Sequence, residues 1–152
     1  MTLRTQPFAD LLLAYISIGA IIEARMVAAK VLEKSDQMRG TNAVLVLGYF
    51  YLRCLELEQV QALLHKLDEM RGHLPDAQVI RGWCRLRGDP SALLSAQEAF
   101  VAAGLHIHPP VYTEGLRLLI DGLELFCSAD GIERHPRLFE AAERVRTCGR
   151  CG

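Results

Sequence analysis

The side chains of this chain that could do chemistry are five cysteines, five histidines and a cluster of arginines. Cys148-Gly149-Arg150-Cys151 is a CxxC pair, and His106 and His108 flank Ile107. A structural zinc site takes four ligands, and a redox CxxC sits at a helix N-terminus that lowers its thiol pKa. Neither setting is visible around this pair, so it reads as a loose tail, with a zinc shared with His106 and His108 as the alternative. Those two histidines alternate beside Pro109 and Pro110, which in an extended chain aims them to opposite sides. Cys54, Cys84 and Cys127 fall inside apolar patterns and read as buried thiols. An odd count of this kind is no disulfide framework and points to a reducing compartment.

Other catalytic constellations do not assemble. Ser91 and Ser95 have no base at a recognisable spacing, and there is no Gly-rich phosphate loop, HExxH or acidic calcium loop. Glu56, Glu58, Asp68 and Glu69 read as a solvated helix face. Arg81, Arg85 and Arg87 form the one sharp cluster. Arg81 and Arg85 lie one turn apart, so both could reach one acidic partner segment; ordinary solvated arginine is the favoured alternative. No enzyme activity, cofactor or metal is expected.

Composition sets the bounds. The chain has 152 residues, is 51% hydrophobic and has a formal net charge of -1. That suffices for a real core and argues against disorder. Near-neutral charge argues against nucleic-acid binding, which needs a basic face. Arginine outnumbers lysine 14 to 3, a base-composition effect or a taste for carboxylates. The run Leu11 to Ile22 is too short to span a bilayer and has no cleavage signature. A cytoplasmic chain without membrane insertion is expected.

The elements that must position these residues are helices. Apolar residues recur at three-and-four spacing from Phe8 to Ile18, from Glu23 to Leu32 and from Glu56 to Met70. Ala43 to Cys54 is apolar nearly all round and predicts a central, buried helix. Leu74-Pro75-Asp76 marks a new helix start. Val79 to Phe100 predicts a tight hairpin, with Gly88 in the left-handed conformation as its stop and Asp89 and Pro90 capping the next helix. His106 to Pro110 is a rigid connector, Tyr112 to Cys127 a long helix, and Pro136 to Arg146 a short one before a tail. The chain reads as all-α, with about eight helices. Its domains are expected at residues 1–127, a helical repeat, and 128–152, a terminal helix and flexible tail.

The helices repeat. Phe8, Leu11, Tyr15, Gly19 and Ala24 resemble the tetratricopeptide pattern of large apolar residue, Leu, aromatic, turn Gly and small residue. Val44, Leu47, Gly48, Tyr51, Val60 and Leu64 follow in the second hairpin, then Ile80, Cys84, Gly88 and Leu93 in the third. The match is degenerate, since Leu55 stands where the second turn wants Gly. The expected architecture is a stack of about three helical hairpins plus C-terminal helices, an α-α superhelix. An unrelated helical bundle is the alternative.

In a tetratricopeptide stack the first helix of each hairpin lines the concave groove. The resemblance carries that to Ala9, Leu13, Ile16 and Ser17, to Leu45, Tyr49, Leu52 and Arg53, and to Gln78, Gly82, Arg85 and Leu86. The trough so formed is apolar and suits an amphipathic helix. Either a partner fills it or the helix Tyr112–Cys127 does. Trp83 falls off this face and reads as a packing anchor.

Trp83, Cys84, Arg85, Leu86, Gly88, Ala92 and Leu93, with Glu23-Ala24, Val111-Tyr112 and Gly115-Leu116, resemble a bacterial type III secretion family. Its members are the small tetratricopeptide-like chaperones of the needle subunit (the YscG type) and a related Hrp-cluster protein of plant pathogens. The resemblance covers roughly residues 8 to 126 and implies a non-enzymatic cytoplasmic chaperone. Its implied partners are a small secreted helical subunit and a small helical co-chaperone, held in a heteromeric complex that prevents premature polymerisation. The implied groove residues are Leu13, Ile16, Leu45, Tyr49, Leu52, Arg53, Arg85 and Leu86. A regulatory or scaffold module of tetratricopeptide type is the alternative. The segment Ser128 to Gly152 departs from the family pattern.

Overall fold

A computed structural model of the chain describes the backbone of residues 6–38, 41–71 and 74–150, and the side chains of 11–30, 41, 43–69 and 74–149. The side chains of Phe8 and Ala9, and Cys151 as a whole, lie outside the described residues. Eight helices account for the described regular structure: α1 (Gln6–Ile18), α2 (Ile21–Met38), α3 (Thr41–Arg53), α4 (Leu57–Arg71), α5 (Pro75–Gly88), α6 (Leu93–Leu105), α7 (Thr113–Ser128) and α8 (Leu138–Arg150). The all-α expectation holds, and adjacent helices pair as hairpins α1–α2, α3–α4 and α5–α6. The chain divides into two compact units, Met1–Arg71 and Gly72–Gly152. Helices α7 and α8 belong to the second unit, where they pack on α5 and α6.

In the first unit α3 touches α1, α2 and α4. Every residue from Ala43 to Phe50 is buried, as an all-round apolar helix requires. Each of its large side chains contributes roughly 2 kcal/mol of burial. Leu12 and Ile16 from α1, and Ala24 and Ala28 from α2, complete the core against it.

The turns after α1 and after α3 share one backbone device. After α1, the Gly19 N–H donates to the Ile16 carbonyl and the Ala20 N–H to the Tyr15 carbonyl. After α3, the Leu55 N–H donates to the Leu52 carbonyl and the Glu56 N–H to the Tyr51 carbonyl. Both are Schellman stops, which place their pivot residue in the left-handed region. Gly19 takes φ +77° at little cost, whereas Leu55 takes φ 59° with a Cβ in the way. Leu55 thus occupies the glycine position of the repeat, as its register predicts.

The second unit turns on α6, which touches α5, α7 and α8. Its small residues Ala96, Ala99, Ala103 and Gly104 are buried and let neighbouring helices close in. Phe100 is the exception in size. A Cβ at Gly82 of α5 would lie 2.6 Å from its ring, and one at Gly122 of α7 2.8 Å from it. The ring is therefore wedged between two glycine notches. Trp83 and Phe126 extend the cluster, with ring centroids 5.6 and 6.1 Å from Phe100.

The α5–α6 turn differs from expectation. Gly88 is not left-handed; α5 leaves through Asp89 at φ -142°. The Asp89 carboxylate accepts from the backbone N–H and the hydroxyl of Ser91 at 2.9 and 2.6 Å. This Asx turn uses up the expected cap, and α6 starts three residues beyond Pro90. Pro75 does stand at the first position of α5. The terminal helix is longer than the sequence suggests, running to Arg150 through the region expected as tail.

Candidate functional site

The groove residues named from the repeat register have diverse surroundings. Ile16, Leu45, Tyr49 and Leu52 are core residues of the first unit, each at most 3% exposed. An apolar trough open to solvent is not what they form. The physical reason is that α3 is apolar all round, so no side of it was left for solvent. Leu13 and Leu86 are half-buried; Arg53 and Arg85 are exposed, one in each unit. Of the further positions, Ser17 is exposed and donates to the Leu13 carbonyl, while Gly82 is closed by Phe100.

The arginines of the cluster stay at the surface but engage their own unit: Arg81 is half-buried, and Arg85 and Arg87 are exposed. Arg85 donates to the Ser95 carbonyl at 3.4 Å, and the Arg87 guanidinium stacks 4.8 Å over the Trp83 ring. Trp83 in turn donates its indole N–H to the Leu118 carbonyl at 2.9 Å. It is a packing anchor between α5 and α7, as its position off the groove face predicts.

The described cysteines and histidines do not converge on a metal. Among the described residues no group of three His, Cys, Asp or Glu could hold one. His106 and Cys148 share the wall of a cavity of about 20 Å³ with Ala103, Gly104 and Leu119, room for about one water. The His108 backbone N–H donates to His106 Nδ1 at 3.1 Å, which folds the connector back and brings the rings to 6.2 Å. They do not point to opposite sides, because the connector is turned rather than extended. Burial pushes the thiols of Cys54, Cys84 and Cys127 above the ordinary thiol range. They stay protonated at neutral pH and are poor nucleophiles.

The surface that does stand out is the outer face of α1 and α2. On α1 the core side is Leu12 and Ile16; Leu11, Ala14 and Ile18 point the other way and are exposed. On α2 the core side is Ala24 and Ala28; Ile22, Met26 and Ala29 are exposed opposite them. Ile18 and Ile22 are each 77% exposed and Met26 70%. Each helix is thus apolar on two sides. Single exposed apolar residues are ordinary; here they recur on the outer side of each of two neighbouring helices. The register missed it because the repeat pattern looks only at positions that pack within the stack. The signal in the sequence was the second apolar set, Ile22, Met26 and Ala29, offset from Ala24 and Ala28.

One ion pair borders this face. Arg25 Nη2 donates to Glu56 Oε1 at 2.5 Å, tying α2 to the start of α4. The hydrogen bond and charge of Glu56 raise the Arg25 pKa further. Glu23 and Lys30 are exposed on the opposite border of α2.

No helix among the described residues is long and apolar enough to cross a membrane. The model of one protein family, described as the Y4kD C-terminal domain, matches residues 11–148. The match spans both units, and the chain belongs to this family. No curated protein and no solved structure matches the chain.

Proposed function

We propose that this member of the Y4kD C-terminal-domain family is a non-enzymatic adaptor that holds an amphipathic helix of a protein partner. The observation behind this reading is the unpartnered apolar stripe on α1 and α2, with Ile18, Ile22 and Met26 as its largest exposed members. A helix laid there buries its own apolar face as a coiled-coil partner does. The paired helices supply the platform, and the thiols of buried Cys84 and half-buried Cys54 and Cys127, all pushed up by burial, offer no activated nucleophile.

The partner we propose is a small secreted helical subunit, the needle or pilus subunit of a type III secretion system, with a small helical co-chaperone completing a heteromeric cytoplasmic complex. Support comes from the resemblance of the α5–α6 segment to the needle-chaperone family, and family membership is compatible with a secretion association. Covering a polymer-forming helix prevents premature assembly. The face on α1 and α2 replaces the trough expected from Leu45, Tyr49 and Leu52.

Co-expression with small helical secretion subunits, followed by size exclusion, tests the reading. A stable complex is expected with the wild-type chain. Ile22→Asp with Met26→Asp should weaken it at least a hundredfold, since two buried apolar contacts become unpaired charges. A complex indifferent to that double change, or no complex with any such subunit, overturns the proposal.

A further inference from the structure

Beyond client binding, the outer face of α2 carries the pattern of a helix that pairs with itself. Ile22, Met26 and Ala29 are spaced by four and three residues, the spacing of a coiled-coil seam. All three are exposed, and Ala29 is small enough to let a second helix approach closely. With those residues at the seam, Glu23 and Lys30 fall at equivalent flanking positions one heptad apart, on the same border. Arg25 falls on the other border.

The charges select both the partner and its direction. Two copies of α2 laid antiparallel and crossing near Met26 bring Glu23 of each copy beside Lys30 of the other. The two-fold axis makes that pair twice. The same two-fold sets the two Arg25 side chains near one another, each already paired with its own Glu56, whereas a parallel pairing would set Arg25 of one copy toward Lys30 of the other twice and form no Glu23–Lys30 pair. We infer that the chain forms an antiparallel homodimer through α2, with Ile22, Met26 and Ala29 in the seam and reciprocal Glu23–Lys30 pairs at its edge. The dimer needs no client and is measured on the chain alone, so its failure and that of the adaptor reading are separate results. Where both hold, the dimer covers the face a client needs, and client binding competes with it.

Analytical ultracentrifugation of the full chain, with reductant and at low salt, tests the inference. A concentration-dependent monomer–dimer equilibrium is expected. Glu23→Lys and Lys30→Glu should each weaken it about tenfold, because each turns both rim pairs repulsive. The double swap E23K/K30E should restore affinity to within about threefold of wild type, although it keeps whatever helix stability E23K loses at the start of α2. Met26→Glu should leave only monomer, with the helical circular dichroism of the wild type. A chain monomeric up to millimolar concentration overturns the inference. So does a dimer that ignores the single charge changes, or a double swap as weak as either single change.

Discussion

The two units hold together by different means. In the first, a helix that is apolar all round is surrounded by its neighbours, and the turns are closed by backbone bonds within a few residues. In the second, polar side chains reach far along the chain to secure backbone. Gln97, wholly buried, donates to the Glu133 carbonyl at 3.0 Å and accepts from the His135 N–H at 2.6 Å. Asp76, also buried, accepts from the Val111 N–H at 2.7 Å. Arg144 donates to the carbonyls of Leu105 and Ile107, and Arg134 to those of Phe126, Cys127 and Ala129. Both arginines thereby place positive charge at helix C-termini, where carbonyls need donors. Among the described residues the long side-chain tie of the first unit is Arg25 to Glu56, on its surface, while the second unit, with irregular connections, secures backbone with buried Gln97 and Asp76 as well.

The second unit is most vulnerable at the aromatic wedge. Gly82→Ala or Gly122→Ala drives a methyl group into the Phe100 ring and should cost about 2–3 kcal/mol each, read by urea unfolding. If Phe100 simply rotates away without cost, the wedge is not what sets the α5–α6–α7 spacing. Next comes Gln97→Leu. Losing a buried group with two backbone partners should cost about 2 kcal/mol and lower hydrogen-exchange protection at His135. An unchanged midpoint would mean that water replaces the amide and that the second unit is less dependent on its long ties. The smallest effects belong to the first unit. Leu55→Gly should stabilise by about 0.5–1 kcal/mol, and Gly19→Ala should destabilise by about 1 kcal/mol, because the two positions share a left-handed backbone. Equal signs for the two changes would break the equivalence of the turns.

What was legible in the sequence follows the same divide. The helices, the Gly19 turn, the odd Leu55 and the Pro75 start are local, and local chemistry reveals them. Gly88 misled because Gly-Asp-Pro fits a stop and a cap equally well, and only the Ser91 bonds show that Asp89 is already engaged. The ties of Gln97 and Arg144 were invisible, since their partners lie 36 to 39 residues away. The candidate surface was half legible. The apolar character of α3 was plain, but full burial, not groove lining, is its consequence. The second apolar side of α2 was present in the spacing, though nothing in a repeat register draws attention to it.

The long ties of the second unit also set an order of events during synthesis. When α6 leaves the ribosome, Gln97 has no partner and the carbonyls of Leu105 and Ile107 have no guanidinium. These groups stay dependent on water until the chain beyond residue 133, and then Arg144, has been made. The turns after α1 and after α3 meet no such delay, because their backbone bonds close within a few residues. The helices that carry the apolar outer face can therefore finish folding, and present that face, while the rest of the chain is still being made.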